Sequence, residues 1–323
     1  MEHEINIKNI DTKKRSSIEV TIFLLITFGM SMLFGVLIYL HIYNNVSIIA
    51  LFMMLVPATG VAFAKELKTK NKNPTHVLHY LLIGNFVLSL CMIILRILGI
   101  VSDDAINALI GLITPLISIM ILFYSWYKCP KLDPFANVKK VVAPILIFLF
   151  ISIIGLIVMS KGKNINYTDL ITDIFLILPN LVSQSILFFG EEYGWREFLQ
   201  PVLQKKFGKR IGVILLGIIW QSWHIPFYFP DINWNIKMLL LRFCYLIALS
   251  ILMGYIYMRS HNVWMCALVH IINNTIFGYL LNNNNSDIYL GFLALSFILS
   301  LFIFSKQYDK NQNCFNNEVN PPC

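Results

Sequence analysis

Residues 188–201 read FFGEEYGWREFLQP and close an apolar run that starts near Leu170. Charged side chains are costly inside a bilayer and are kept there mainly for function, so two adjacent carboxylates at the end of such a run are unusual. If the helix continues through this stretch, Glu192 and Arg196 lie four positions apart and can form an ion pair. Glu191 then points about 100° away, at ~3.6 residues per turn, and is available for chemistry.

Two later apolar runs carry polar side chains that can act together with a carboxylate. One contains the stretch WQSWHIP, which includes His224, and the other contains HIINN, which begins at His270. His270 and Asn274 share a helix face, and this spacing favours Asn274 over the neighbouring Asn273. A carboxylate, two imidazoles and an amide are suited to hydrolysis, which needs an activated water and a stabilised oxyanion.

Together these stretches carry three motifs in order: Glu-Glu-x-x-x-Arg, aromatic-x-x-x-His and His-x-x-x-Asn. In this order, on separate apolar segments, they resemble the CAAX prenyl protease and bacteriocin-processing family (CPBP, also called Abi) of intramembrane endopeptidases. The resemblance covers roughly Leu170 to Leu281. The second motif usually begins with Phe in that family, whereas here it begins with Trp220, which is also aromatic.

The residues and the resemblance indicate the same catalytic roles. We expect Glu191 to act as the general base, with His224 orienting or deprotonating the water. His270 and Asn274 are expected to donate hydrogen bonds to the developing oxyanion. The predicted ion pair next to the base would fix the end of the helix.

The composition is that of a membrane protein. Of 323 residues, 57% are hydrophobic and 13% are charged, whereas soluble domains carry about 25% charged residues. The net charge of +8 does not indicate a nucleic-acid partner, because the basic residues cluster in short loops between apolar runs. The six cysteines include no Cys-x-x-Cys pair, so neither a zinc ribbon nor a redox motif is predicted.

The apolar runs predict an all-α fold, a polytopic transmembrane bundle of about ten helices (eight to ten), each with ~20 apolar residues. The runs lie near 20–40, 47–64, 77–100, 106–127, 141–159, 170–195, 211–229, 238–258, 263–281 and 288–304. A proline at position 226, shortly after the second motif, is expected to break its helix.

We divide the chain into five parts. They are a cytoplasmic N-terminal tail (1–16), N-terminal transmembrane helices (17–169), a CPBP-type catalytic core (170–281), a last transmembrane helix (282–305) and a disordered C-terminal tail (306–323). Basic loops stay in the cytoplasm, and the loop 205–210 is one of them. We therefore expect a multi-pass protein of a bacterial cell membrane, with both termini in the cytoplasm.

Zinc is the main alternative to a metal-free mechanism. Two histidines and a glutamate form the zinc site of some proteases. The His-Glu-x-x-His sequence that places both histidines on one helix is absent. We therefore expect no cofactor, with zinc as the alternative. The sequence also lacks a Gly-x-Ser-x-Gly motif, which argues against a serine nucleophile.

The predicted substrate is a membrane-associated peptide or protein presented at the cytoplasmic face of the lipid bilayer. The resemblance implies either CAAX-type cleavage or processing of a bacteriocin or other peptide, including self-immunity. A proton-coupled transporter is a second hypothesis, with Glu191, His224 and His270 as a proton path. The lack of an inverted repeat argues against it. A non-catalytic immunity protein that binds a toxin is a third, although all the expected polar residues are present.

Overall fold

The computed structural model describes residues 2–67, 74–159, 167–228, 236–281 and 288–309. Within these ranges the regular secondary structure is helical and no strand occurs, which confirms the predicted all-α class. The α-helices are α1 (Glu2–Tyr39), α2 (Val46–Glu66), α3 (His76–Ile97), α4 (Asp103–Lys128), α5 (Val142–Met159), α6 (Tyr167–Phe175), α7 (Ile177–Ser183), α8 (Ser185–Glu192), α9 (Gln200–Phe207), α10 (Lys209–Tyr228), α11 (Ile236–Ser260), α12 (Val263–Leu281), α13 (Ile288–Ser300) and α14 (Lys306–Asp309). A π-helical segment, Tyr193–Leu199, joins α8 to α9. Short 3₁₀ segments occur at Pro130–Leu132, Val138–Lys140 and Leu301–Phe304.

Five of the described helices are long and apolar enough to cross a membrane. They are the Ser17–Tyr39 part of α1, together with α2, α3, α4 and α11. Shorter apolar helices, Val142–Val158, Val263–Ile276 and Gly291–Phe304, coincide with three further predicted runs. The chain is therefore a multi-pass integral membrane protein.

The prediction of one continuous helix over 170–195 is wrong, because the structure divides this run into α6, α7 and α8. The first break follows Phe175, and Pro179 explains it. A proline has no N–H to donate to the carbonyl four residues earlier, and its ring clashes with that carbonyl. The first motif therefore begins on a short helix of its own and not at the end of a long span.

A neighbouring helix caps the start of α8. The first N–H groups of any helix lack intrahelical partners. Here the Ile186 N–H donates to Oγ of Ser118 on α4 (3.1 Å), and the Ser185 hydroxyl donates to the Ser118 carbonyl oxygen (3.2 Å). Both serines are fully buried. The cap allows α8 to begin in a buried position without water.

The chain forms two compact units. The first comprises Met1–Asp133, Pro179–Trp195 and Trp223–Asn233. Its central helix is α2, which packs against α1, α3 and α8. A Cβ atom at Gly194 would lie 2.5 Å from the Cβ of Pro57 on α2, so this position accepts glycine and no larger residue without a shift of backbone.

The second unit comprises Pro134–Leu178, Arg196–Ser222 and Trp234–Cys323. In it α11 packs against α12 and α13, and α12 packs against α5. Glycine also allows α10 to approach α11, since a Cβ at Gly217 would lie 2.7 Å from the Cα of Ile247.

The start of the predicted disordered tail is instead ordered, because residues 306–309 form α14. Tyr308 is buried, and its hydroxyl donates to the carbonyl oxygen of Ile251 on α11 (2.6 Å). Asp309 forms an ion pair with Arg210. These contacts fasten α14 to α10 and α11. The rest of the predicted tail lies outside the described residues.

Candidate active site

Two carboxylates end α8. Glu191 is 2% exposed and Glu192 is fully buried. A carboxylate oxygen of one lies within 4.8 Å of a carboxylate oxygen of the other. Two carboxylates this close repel each other when both are ionised. The sequence predicts a local counter-ion for Glu192 and leaves Glu191 available for chemistry; in the structure both side chains are buried.

The helix changes its hydrogen-bonding pattern directly after these carboxylates. Tyr193–Leu199 is π-helical, a wider turn whose hydrogen bonds span five residues instead of four. The N–H of Tyr193 itself still donates to the carbonyl oxygens of Phe189 and Gly190. The predicted facing of Glu192 and Arg196 assumes a continuous α-helix, which the chain does not form here. That ion pair stays a prediction. Single π turns inserted in α-helices occur frequently at functional sites, which fits the position of this one.

Arg196 lies fully buried in the second unit. Its Nη1 donates to Oγ of Ser250 (2.9 Å), and its Nη2 donates to Sδ of Met253 (3.7 Å). The Ser250 hydroxyl in turn donates to the carbonyl oxygen of Val213 on α10 (3.1 Å). The guanidinium carbon also lies 5.0 Å from the centre of the Trp220 ring, within the range of a cation–π interaction. Hydrogen bonds and ring contact fix the orientation of this arginine.

Trp220 contacts His270 as well. The two ring centres lie 5.6 Å apart with the planes at 79°, an edge-to-face arrangement. Trp220 is 1% exposed and His270 is 4% exposed. The second unit thus brings together Arg196 of the first motif, Trp220 of the second and His270 of the third.

His224 lies in the first unit on the last turns of α10, half-buried, with its ring 4.7 Å from that of Trp223. The indole N–H of Trp223 donates to the carbonyl oxygen of Thr27 on α1 (3.1 Å), and Ser31 Oγ donates to the Trp223 carbonyl oxygen (2.5 Å). The expected helix break at Pro226 does not occur, because α10 continues to Tyr228. The Ser31 hydrogen bond satisfies a carbonyl in the turn that the proline disturbs.

The two candidate asparagines on α12 are placed differently. The Tyr245 hydroxyl donates to Oδ1 of Asn273 (2.6 Å), and the amide of Asn273 donates to Oδ1 of Asn274 (3.0 Å). Asn273 is half-buried, whereas Asn274 is exposed. The side-chain oxygen of Asn273 is therefore occupied by the hydrogen bond from Tyr245. This arrangement favours Asn274 as the asparagine that binds a ligand.

The family comparison agrees with these motifs. Residues 172–276 match the family described as type II CAAX prenyl endopeptidase Rce1-like. The matched segment contains all the motif residues described above and is similar to this family of CAAX prenyl endopeptidases. No curated protein and no solved structure matches the chain.

Several residues that contact these motifs were not predicted from the sequence. Ser250 and Met253 of α11 hold Arg196, but a serine and a methionine in an apolar run carry no chemical signal. His79 of α3 contacts the hydroxyl of Tyr193 through its Nε2 (3.1 Å). A histidine in a membrane-length run is a signal, because intramembrane ionisable residues are usually functional.

Proposed function

We propose that this chain is a CAAX-type intramembrane endopeptidase that cleaves a membrane-associated peptide or protein at the cytoplasmic side of the membrane. The contact of Trp220 with both Arg196 and His270 carries the proposal, because it joins one member of each of three motifs. The family match over residues 172–276 supports the same activity.

In the proposed mechanism Glu191 accepts a proton from water, and the water oxygen attacks the carbonyl carbon of the peptide bond. His224 orients this water. The electron pair of the carbonyl moves onto oxygen, and His270 and Asn274 donate hydrogen bonds to that oxyanion. When the carbonyl re-forms, the C–N bond breaks and the proton on Glu191 passes to the leaving nitrogen.

The experiment is a cleavage assay with purified protein in lipid nanodiscs and a membrane-anchored fluorogenic peptide. We expect Glu191→Gln to abolish cleavage while membrane expression stays near wild type. Glu197→Gln is the matched control, because it keeps an acceptor for the hydroxyl of Tyr257, which lies 2.6 Å from Glu197. Cleavage by well-expressed Glu191→Gln protein would contradict the mechanism. Proton flux through the protein without cleavage would favour the transporter hypothesis.

The same assay distinguishes the two substrate classes. Two versions of one peptide are compared, one with a prenylated cysteine before the scissile bond and one with an unmodified cysteine. CAAX-type cleavage requires the prenyl group, whereas peptide or bacteriocin maturation does not. If neither version is cut and the protein binds a bacteriocin, the non-catalytic immunity hypothesis is favoured.

We also propose that the reaction needs no metal. Glu191 and Glu192 offer two carboxylate oxygens within 4.8 Å of each other, which is half of a tetrahedral zinc set and keeps zinc as the alternative. We expect activity to survive a strong chelator and elemental analysis to find no stoichiometric zinc. Loss of cleavage with the chelator and its recovery with zinc would instead make Glu191, His224 and His270 the expected zinc ligands.

A further inference from the structure

A chain of hydrogen bonds outside the three motifs ends on a motif residue. Glu66 is the last residue of α2, and its two carboxylate oxygens contact His76 Nδ1 (2.5 Å) and His79 Nδ1 (2.6 Å) at the start of α3. The other ring nitrogen of His79, Nε2, lies 3.1 Å from the hydroxyl of Tyr193. His79 and Tyr193 are each 1% exposed.

The donors and acceptors of this chain follow from its chemistry. An ionised carboxylate only accepts hydrogen bonds, so His79 Nδ1 is protonated and donates to Glu66. In a neutral imidazole the second nitrogen then carries a lone pair, so Nε2 accepts the hydrogen bond of the Tyr193 O–H. Glu66 thus sets the tautomer of His79, and that tautomer sets the direction of the bond from Tyr193.

Tyr193 lies at the point where the α-helix becomes π-helical. It directly follows Glu192 and is the first residue of the π-helical segment. Its ring stacks on that of Phe189, with the centres 5.6 Å apart and the planes at 14°. Stacking restrains the ring, and Nζ of Lys65 on α2 lies 5.7 Å from its centre. The hydroxyl bond to His79 fastens the far end of the side chain to α3. The bond therefore restrains the rotation of the helix where the two carboxylates end and the wider turn begins.

We propose that Glu66 and His79 are positioning residues of the active site, acting through Tyr193 to hold the Glu191–Glu192 pair in its productive orientation. The inference rests on the proposed protease function. It predicts that Tyr193→Phe, which removes only the hydroxyl, lowers kcat about tenfold, because small errors in the position of catalytic groups are costly in rate. KM should change little, since none of the three residues is proposed to touch the substrate.

Two substitutions of the same histidine separate positioning from simple packing. The side-chain oxygen of glutamine reaches approximately the place of Nε2 and can still accept from Tyr193, whereas asparagine reaches only the place of Nδ1 and bonds to Glu66 alone. We expect His79→Gln to keep most of the wild-type kcat and His79→Asn to lose as much as Tyr193→Phe. The double variant His79→Asn/Tyr193→Phe should be no slower than either single variant, because both remove the same bond.

Tyr39→Phe is the matched control, because Tyr39 is 64% exposed at the end of α1.

A second readout does not depend on activity. With ¹⁵N-labelled histidine, the His79 signal, identified by its absence in His79→Asn, should show a protonated Nδ1 and a bare Nε2. Tyr193→Phe should shift the Nε2 signal, and Tyr39→Phe should not.

The outcomes separate this inference from the proposed function. If wild-type protein cleaves no substrate but the NMR signals behave as expected, the protease function fails while the hydrogen-bond chain stands. If wild type cleaves and His79→Asn or Tyr193→Phe has wild-type kcat, the positioning role is overturned. An Nε2-protonated His79, or a signal unaffected by Tyr193→Phe, overturns it as well.

Discussion

At the scale of single residues, Arg196 is a buried cation held by contacts from other helices. Replacing it with alanine removes the bonds to Ser250 and Met253 and the contact with Trp220. We expect Arg196→Ala to lower the free energy of unfolding by about 3 kcal/mol, as large-to-small changes in packed cores do. Denaturant titration of the purified protein measures this.

The matched control is Arg210→Ala. Arg210 pairs with Asp309, but both side chains are about half exposed (48% and 52%), and exposed pairs contribute about 1 kcal/mol or less. Equal loss of stability in the two variants would contradict the buried role of Arg196. A stable but inactive Arg196→Ala protein would instead indicate that the arginine contacts the substrate.

The neighbouring asparagines of α12 allow a similar comparison. We expect Asn274→Ala to lower kcat by about 10²–10³, the usual loss when an oxyanion donor is removed. Asn273→Ala should mainly reduce stability, because Asn273 accepts the hydrogen bond of the buried Tyr245. Steady-state cleavage rates together with melting curves test both expectations. The reverse pattern would move the oxyanion role to Asn273.

The motif residues stand out in the sequence because their chemistry is rare in apolar segments, and the spacing on α12 predicts that His270 and Asn274 act together. Their neighbours were not, because a contact such as Ser250 with Arg196 depends on how α11 packs. The edge-to-face contact of Trp220 with His270 likewise depends on how two helices pack together. Sequence spacing describes one helix at a time and carries no information on such contacts.

At the scale of helices and turns, Gly194 is the point where the π-helical segment meets α2. A Cβ atom there would lie 2.5 Å from the Pro57 Cβ and 2.8 Å from its backbone carbon. We expect Gly194→Ala to destabilise the protein by about 1–3 kcal/mol, the usual cost of overpacking. It should also lower activity, because the helix has to shift beside the carboxylates.

Gly84→Ala is the control for that substitution. A Cβ atom at Gly84, in the middle of α3, meets no atom within 4 Å. Alanine in an open helical position stabilises by roughly 0.5–1 kcal/mol relative to glycine. Opposite signs for the two variants in the same denaturant titration would bear out the close approach, and equal signs would contradict it.

The helices were predicted from their apolar runs, but their interruptions were only partly predictable. Pro179 is a visible signal for the break after α6, although prolines are often tolerated in transmembrane helices. The start of α8 depends on Ser118, which lies far away in the sequence. The π turn contains Tyr193 and Gly194, which contact α3 and α2, and no local pattern in the sequence indicates it.

At the scale of the whole molecule, the orientation in the membrane is a prediction from the distribution of charge. The basic segment 205–210, which includes Lys206 in the last turn of α9, is expected in the cytoplasm. The acidic segment that follows α3, near Ile100, is expected outside. Both residues are exposed. In a background without native cysteines, Lys206→Cys should react with an impermeant thiol reagent only from the inside.

Ile100→Cys provides the opposite control and should react only from the outside. Labelling of both positions from the same side would contradict the predicted number of crossings between them. Labelling of each position from the side opposite to its prediction would invert the topology, and the substrate would then be cut at the outer face.

The contacts of α1 have a consequence for protein engineering. Thr27 and Ser31 bond to Trp223 next to His224, and Gly35 approaches the Pro226 carbonyl so closely that no side chain fits between them. The family match begins at residue 172, yet α1 lies outside it and contacts Trp223, the residue before the candidate catalytic histidine. The matched segment therefore cannot be transferred into another protein on its own. A chimera or truncation has to carry α1 with it, because a foreign first helix would leave this histidine without its support.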